Sequence, residues 1–332
     1  MRLQYEIVEL ELRHTFHIAH GASDVRRNVV VTIGDGLGEA APVAYHHESV
    51  DGVVAALERW RPAIEHLSEP AALHALLRTL DGSAAARAGV DIALHDALGK
   101  RLGCSVADLF GLRELPVPAT SFTIAITSPA DLPARIAEAA HYPILKVKLG
   151  TPHDLQTVKT IRQHAPLARI RVDANGGWNC DQALTLIPQL ADLGVELVEQ
   201  PLAVGDTDGL AALNRARLGV PIVVDESVRS PADVVALAPV IDGVNVKLMK
   251  TGGIAGALAT IHTARSCGLR IMLGCMIETS LGVTAAAHLA PLVDWLDLDG
   301  PLLIANDPFR GVTFEGPELR LPARPGLGVE RR

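Results

Sequence analysis

The first third of the chain changes its hydrophobic rhythm once, from an alternating pattern to a helical one. Polar and apolar residues alternate from Leu3 to Leu12, and a second apolar run, 28–33, leads into the turn Gly34-Asp35-Gly36. Alternation is typical of strands with one buried face, and Gly-Asp-Gly is typical of a hairpin turn. From residue 48 to residue 111 the apolar spacing is helical, with Ser83 as a candidate helix cap. The pattern predicts a small α+β lobe.

The rest of the chain repeats one unit, a short apolar run followed by a helical segment. Pro116 and Pro118 mark the boundary, because two prolines so close together continue neither a helix nor a central strand. Eight β-branched apolar runs follow, at 121–126, 144–149, 170–173, 197–199, 222–225, 244–248, 270–274 and 293–298. Polar residues near the ends of five of them fall at 148, 173, 199, 225 and 247, at intervals of 25, 26, 26 and 22 residues. Each interval fits one strand, loop and helix.

We therefore predict an α/β fold, a (β/α)7β TIM-type barrel with an N-terminal α+β capping domain. Residues 1–115 are expected to form the capping domain with its substrate-specificity loops, and residues 116–301 the catalytic barrel. Residues 302–332, rich in proline and glycine, are expected to pack back on the capping domain. In such barrels the active site lies at the C-terminal ends of the strands.

Composition narrows the possible partners of this 332-residue chain. Thirty Lys and Arg against 38 Asp and Glu give a net charge of -8, with no basic stripe, so nucleic acid is not expected to bind. The four cysteines lack C-x-x-C spacing, which argues against zinc and disulfides. Neither a signal-peptide pattern nor an apolar run of about 18 to 20 residues is evident. We expect a cytoplasmic homo-oligomer that binds a small molecule and no membrane.

Two lysines stand one residue apart inside an apolar run. Strand side chains alternate, so Lys146 and Lys148 point the same way. Burial and like charge each lower the pKa of an ammonium group, and this predicts a neutral amine, a base, near pH 7. Lys247 ends strand six, which faces strand two across the mouth of an eight-stranded barrel. Opposed lysines indicate inversion of a stereocentre, although Lys247 alone could be a surface lysine at a strand end.

Carboxylates end three successive strands: Asp173, Glu199 and Asp225. Three acids at one rim repel each other unless a cation lies among them, and oxygen ligands suit Mg²⁺ better than zinc. Any one of them could instead cap the following helix, but the matched spacing favours one Mg²⁺ per subunit. Asn175 and Glu226 beside them are interpreted as supporting or capping groups.

Asp297 and Asp299 close strand eight on one shared face, opposite strand four and the predicted metal. A substrate spanning this distance would carry a carboxylate at the metal and an ammonium group at the aspartates, as a dipeptide does. The alternative is that one of these aspartates caps the turn at Gly300.

The chain resembles the enolase superfamily, in its muconate lactonizing enzyme subgroup, over nearly its whole length. The segment 297–301, Asp-Leu-Asp-Gly-Pro, resembles in particular the dipeptide epimerases, which include the L-Ala-D/L-Glu epimerases. The subgroup-like segments are Lys146-Val147-Lys148, Asp173-Ala174-Asn175-Gly176-Gly177-Trp178, Glu199-Gln200-Pro201, Asp225-Glu226-Ser227, Lys247-Leu248-Met249-Lys250-Thr251-Gly252-Gly253 and Pro325-Gly326-Leu327-Gly328-Val329.

The resemblance implies a Mg²⁺-dependent epimerase that inverts the α-carbon of the C-terminal residue of an L-Ala-Xaa dipeptide. Lys148 and Lys247 would perform a two-base 1,1-proton transfer through a metal-stabilised enolate. Lys146 would steady the substrate carboxylate and lower the pKa of Lys148. Asp297 and Asp299 would hold the α-ammonium group of the dipeptide.

Two loops of the capping domain, near 18–28 and 45–47, would cover the mouth and exclude water. Epimerases acting on Ala-Glu are expected to carry an arginine in the first loop, where this chain has His20, and Arg26 or Arg27 could replace it. His20 and Arg26 are therefore candidate substrate-binding residues. Glu278 ends strand seven either as a polar contact to the intermediate or as a buried structural acid.

Other functions fit parts of the pattern. A muconate cycloisomerase, an o-succinylbenzoate synthase or an N-succinylamino acid racemase shares the subgroup, but a substrate without an ammonium group would not need the aspartate pair. Lys247 could form a Schiff base in a metal-independent aldolase. A barrel that only binds ligands would leave the opposed lysines unexplained.

Overall fold

A three-stranded antiparallel sheet begins the chain in this computed structural model, which describes residues 1–19, 21–68, 72–77 and 79–332. The strands are β1 (Leu3–Ile18), β2 (Gly21–Ile33) and β3 (Gly36–Ala40), in the order β1-β2-β3. Helices α1 (Val50–Glu65), α2 (Leu73–Leu77), α3 (Ala84–Leu102) and α4 (Val106–Leu109) follow. Ser83 caps α3, because its Oγ accepts a hydrogen bond of 3.0 Å from the backbone N–H of Ala86. The predicted α+β lobe is therefore present.

The segment 18–28, expected to be a loop, is mostly strand, so this expectation was wrong. Residues 21–28 lie in β2 and pair with β1, with Arg26 opposite Leu10. The register shifts between Glu11 and Phe16, where the hairpin is irregular. Most side chains on both faces of this part of β2 are exposed or half-exposed, so its sequence lacks the apolar alternation that identifies a strand.

Eight parallel strands form the second domain in chain order. They are β4 (Phe122–Ile124), β5 (Ile144–Lys148), β6 (Arg169–Asp173), β7 (Val195–Glu199), β8 (Ile222–Val224), β9 (Gly243–Lys247), β10 (Arg270–Gly274) and β11 (Trp295–Asp297). The sheet closes on itself, because Thr120 pairs with Leu296 and the backbone N–H of Ser121 donates to the Leu296 carbonyl at 3.2 Å. The predicted TIM-type barrel is confirmed.

Helices connect the strands of the barrel. They are α5 (Leu132–Glu138), α6 (Asp154–His164), α7 (Cys180–Asp192), α8 (Thr207–Ala216), α9 (Pro231–Leu237), α10 (Leu248–Thr251), α11 (Ile254–Ser266), α12 (Ser280–Ala287) and α13 (Gly300–Leu303). The chain then forms two small antiparallel pairs, β12 (Phe309–Arg310) with β15 (Glu330–Arg331) and β13 (Thr313–Glu315) with β14 (Glu318–Arg320). Among the described residues, no helix combines the length and the apolar character needed to cross a membrane.

Inside the barrel, polar side chains gather towards the C-terminal ends of the strands. In β5, Leu145 and Val147 belong to the large apolar core, whereas Lys146 and Lys148 are buried on the other face. A separate apolar cluster fills another level of the barrel and consists of Leu197, Val223, Met272 and Trp295. Because buried charged groups need partners, the polar level must hold a network of opposite charges.

Buried carboxylates of the capping domain fasten it to the rest of the chain. Glu39 on β3 accepts hydrogen bonds from Thr279 Oγ1 at 2.6 Å and from the Gly282 N–H at 2.9 Å. Both partners follow β10, so the capping domain lies over the C-terminal ends of the barrel strands. Asp96 on α3 accepts a hydrogen bond of 2.8 Å from the backbone N–H of Leu327, which belongs to the C-terminal segment.

Candidate active site

Three carboxylates meet at the C-terminal ends of neighbouring strands. Asp173 and Glu199 end β6 and β7 and are direct partners in the sheet register, and Asp225 follows β8. One oxygen from each lies within 4.8 Å of the others, and all three side chains are buried. The helices that follow are capped by other residues, Asn179, Asp206 and Ser230, so the alternative that the three carboxylates are helix caps is not supported.

The charges around these carboxylates fit a divalent cation. Six buried carboxyl groups outnumber four buried ammonium groups here, so full ionisation would leave an excess of two negative charges. The groups are Asp173, Glu199, Asp225, Glu226, Asp297 and Asp299 with Lys146, Lys148, Lys247 and Lys250. Burial, followed by the neighbouring Asp173, raises the pKa of Glu199 to about 7. The oxygen-only donor set suits Mg²⁺, and Asp173, Glu199 and Asp225 are positioned to hold it.

Lys148 and Lys247 lie on β5 and β9, which stand second and sixth among the eight strands, and both line the same cavity. Lys148 Nζ donates to Asp173 Oδ2 at 2.6 Å, and Lys247 Nζ lies 2.7 Å from Asp225 Oδ2. Lys247 is only 4% exposed, so it is not a surface lysine at a strand end. The structure therefore brings the two predicted bases to opposite sides of one cavity.

Lys146 lines the same cavity and lies in a cluster of acids. Its Nζ is 2.6 Å from Asp297 Oδ2, 2.8 Å from Glu199 Oε2 and 3.2 Å from Asp173 Oδ2. Burial acts to lower the pKa of Lys146, but Asp297, Glu199 and Asp173 outweigh it and hold that pKa well above its usual value. The expectation of a lowered pKa for both neighbouring lysines was wrong for Lys146, because these carboxylates were not counted.

Asp297 and Asp299 lie side by side at the end of β11 and line the cavity. Ser121 Oγ donates to Asp297 Oδ1 at 2.7 Å, and the Thr123 N–H donates to Asp299 Oδ2 at 2.6 Å. Burial and the neighbouring Asp297 raise the pKa of Asp299 to about 6. Asp299 precedes α13 but makes no capping hydrogen bond through its side chain, so the pair is an anionic wall of the cavity.

The capping domain supplies the roof of the cavity. Arg26 is half-buried and lines the cavity, and its Nε is buried without a hydrogen-bond partner in the described part of the chain. Tyr45 lines the cavity as well, whereas His46 and His47 line a neighbouring one. His20, the other candidate substrate-binding residue, lies outside the described residues.

Asn245 is a site residue that the sequence interpretation missed. Its side-chain amide donates to Glu199 Oε1 at 2.7 Å from a fully buried position on β9. It stands two residues before Lys247 on the same strand, so strand alternation could have identified it. Lys250, interpreted as structural, is also buried and contacts Asp225 Oδ1 at 2.5 Å and the Asn245 carbonyl at 2.9 Å.

Glu278 lies behind the site, at the contact between the two domains. Its Oε1 accepts a hydrogen bond of 2.7 Å from the Met276 N–H, and the side chain is 1% exposed. Burial, followed by the nearby Glu39 carboxylate, raises the pKa of Glu278 to about 8. Met276 and Ile277 line the catalytic cavity but Glu278 does not, which favours the buried structural acid of the two alternatives.

Replacing Glu278 by glutamine is expected to make the free energy of unfolding less dependent on pH. Relative to the unmodified protein, the variant should become more stable as the pH rises. A carboxyl group with a raised folded pKa contributes its full stability below its ordinary pKa of 4.5 and loses it as pH rises to about 8. Within this window the loss reaches about 1.4 kcal/mol per pH unit. Glutamine does not titrate. Urea unfolding at about pH 5 and about pH 9 should therefore show that the free energy of unfolding of the variant, relative to the unmodified protein, is higher at about pH 9. Glu114→Gln, at an exposed glutamate, is the control. If Glu278→Gln lowers the free energy of unfolding equally at both pH values, the raised pKa does not contribute to stability.

Known protein families match both domains of the chain. Two family profiles match: "Mandelate racemase / muconate lactonizing enzyme, N-terminal domain" over residues 4–111 and "Enolase C-terminal domain-like" over residues 130–332. The chain is 38% identical to an L-Ala-D/L-Glu epimerase from Bacteroides thetaiotaomicron, covering 99% of this chain and 88% of that protein.

Two solved structures extend these similarities. The substrate-liganded L-Ala-D/L-Glu epimerase from Bacillus subtilis is 31% identical, with a TM-score of 0.92 over 99% of this chain and 98% of that one. A dipeptide epimerase from Enterococcus faecalis, complexed with Mg and L-Leu-L-Tyr, is 30% identical, with a TM-score of 0.93 over 99% of both chains.

Proposed function

We propose that this chain, which belongs to the mandelate racemase/muconate lactonizing enzyme family of the enolase superfamily, is a Mg²⁺-dependent dipeptide epimerase that inverts the C-terminal α-carbon. One observation carries the proposal: two lysines on opposite sides and two aspartates at one end line the same cavity. The relatives described above, named for epimerisation of dipeptides, support it.

Lys148 and Lys247 carry out the proton transfers. One lysine takes the α-proton from its face of the substrate carbon, and the other delivers a proton to the opposite face, which inverts the centre. When bound at Asp173, Glu199 and Asp225, Mg²⁺ supplies positive charge that stabilises the negative charge developing on the substrate carboxylate. Each lysine is oriented by a carboxylate: Asp173 pairs with Lys148, and Asp225 pairs with Lys247.

Asp297 and Asp299 bind the α-ammonium group at the other end of the dipeptide. They fit this role because they are buried, close in sequence and line the cavity. A cycloisomerase or o-succinylbenzoate synthase substrate has no ammonium group to pair with them. A Schiff-base aldolase would use Lys247 alone and leave both Lys148 and the three-carboxylate site without a role.

Arg26 favours a dipeptide whose second residue has an oxygen-bearing side chain, above all glutamate. Its Nε lies buried and without a hydrogen-bond partner among the described residues, at the wall formed by the capping domain. A buried donor of this kind is stabilised when a carboxylate accepts from it. Because this donor belongs to the β1–β2 hairpin, the capping domain would select the second residue.

The function is tested by incubating an L-Ala-L-Xaa library with the protein and Mg²⁺ in D₂O. Mass spectrometry and NMR should show one deuteron at the C-terminal α-carbon and accumulation of the L,D-epimer, fastest for a second residue with a carboxylate. Absence of exchange in every dipeptide would refute the epimerase. Exchange confined to apolar second residues would refute the role of Arg26 only.

A further inference from the structure

A second cavity of about 900 Å³ adjoins the active site. It lies between the irregular part of the β1–β2 hairpin, residues 12–17, and the segment 122–128 that forms and follows β4. Residues of α13 and α5 complete its walls. We call it the hairpin cleft. Nothing in the proposed mechanism uses it.

The hairpin cleft begins where the ammonium group of a dipeptide is proposed to bind. Phe16, Thr123 and Leu303 line both the cleft and the catalytic cavity. The backbone N–H of Thr123 donates to Asp299 Oδ2 at 2.6 Å, so the junction is in direct contact with the aspartate pair. The first side chain of a dipeptide leaves from the same carbon that carries the ammonium group. The cleft therefore adjoins the end of the cavity at which that side chain would lie.

Hydrogen bonds across the cleft hold its walls together. The backbone N–H of Ile126 donates to the His17 carbonyl at 3.1 Å and joins the barrel to the hairpin. At the outer end, His14 Nε2 and Arg135 Nη1 contact the Glu138 carboxylate at 2.9 and 2.8 Å. His14 and Glu138 are 49% and 50% exposed, so this end opens to solvent. A side chain entering from the aspartates thus meets an apolar wall first and charged groups at the exit.

We propose that the hairpin cleft receives the side chain of the first residue of the dipeptide and admits long polar side chains such as arginine, lysine and glutamine. The inference rests on the proposed epimerase function and extends its substrates beyond first-residue alanine. A cleft that is open at its outer end sets no sharp upper limit on length, so larger first residues lose little affinity. Their aliphatic stems gain contact with the wall at Phe122.

The test compares L-Ala-L-Xaa with L-Arg-L-Xaa, where Xaa is the second residue that exchanges fastest. For the unmodified protein, kcat/KM for α-proton exchange of L-Arg-L-Xaa should lie within about 10-fold of that for L-Ala-L-Xaa. Ala125→Trp fills the cleft beyond its junction with the active site and should lower kcat/KM for L-Arg-L-Xaa by about 10-fold or more while L-Ala-L-Xaa is retained. Ala130→Trp, the same change at an exposed position outside the cleft, should leave both rates unchanged.

The outcomes separate this inference from the function on which it rests. Rapid exchange of L-Ala-L-Xaa with a loss of about 100-fold or more for L-Arg-L-Xaa in the unmodified protein would overturn the cleft assignment and keep the epimerase. Equal loss of both substrates in folded Ala125→Trp would overturn it as well. No exchange of any dipeptide would overturn both proposals.

Discussion

Replacing Lys148 or Lys247 singly by glutamine is expected to stop epimerisation, with a fall in kcat of about 1,000-fold or more. Each lysine acts on one face of the α-carbon, so loss of either removes the proton acceptor for one epimer and the proton donor for the other. Glutamine is one atom shorter than lysine, keeps a polar end and cannot exchange a proton as an amine does. The measurement is the rate of inversion of the L,L- and L,D-dipeptides by circular dichroism or chiral chromatography.

Deuterium exchange makes the same variants diagnostic of two bases. A variant with one remaining lysine should still exchange the α-proton of the epimer whose proton faces that lysine, without inverting it. Lys148→Gln and Lys247→Gln should therefore retain exchange with opposite epimers. Lys159→Gln, at an exposed position on α6, is the control and should match the unmodified protein. Loss of exchange with the same epimer in both variants would contradict opposed bases.

Strand periodicity was sufficient to predict the barrel and the positions of its polar ends. In a parallel barrel, residues separated by one strand, loop and helix lie at equivalent positions of neighbouring strands. The residues at 173, 199 and 225 have this spacing, so they were expected at the same rim. Two-residue alternation placed Lys146 and Lys148 on one face, as the structure has them. These features are local or repeat regularly, which is why the sequence alone could reveal them.

Long-range contacts could not be obtained in this way. The pKa of Lys146 depends on Asp297, which is far away in sequence and adjacent only once the barrel closes. The segment 18–28 of the β1–β2 hairpin was taken for a loop because both faces of the strand are largely exposed there. The hairpin cleft forms only where this hairpin meets β4, so no sequence pattern marks it.

Magnesium affinity is the second property for which we predict a large effect, and Glu199 is the proposed ligand at which it is tested most cleanly. Asp173 and Asp225 each also pair with a proposed catalytic lysine, so changing them would alter two functions at once. Glu199 Oε1 accepts from Asn245, and its Oε2 lies 2.8 Å from Lys146 Nζ. Replacing its carboxylate by an amide removes one of the negative charges that attract the cation while keeping the shape of the side chain.

Glu199→Gln is expected to weaken Mg²⁺ binding by about 100-fold or more, because Mg²⁺ prefers charged oxygen ligands and we propose Glu199 as a direct ligand. Isothermal titration of the protein with Mg²⁺ measures the change independently of turnover, and epimerisation should fall in parallel at low Mg²⁺. Glu196→Gln, on the same strand but at the opposite end of the barrel, where Glu196 pairs with Arg171, should bind Mg²⁺ as the unmodified protein does. Unchanged Mg²⁺ affinity in folded Glu199→Gln would show that the three carboxylates do not form the magnesium site.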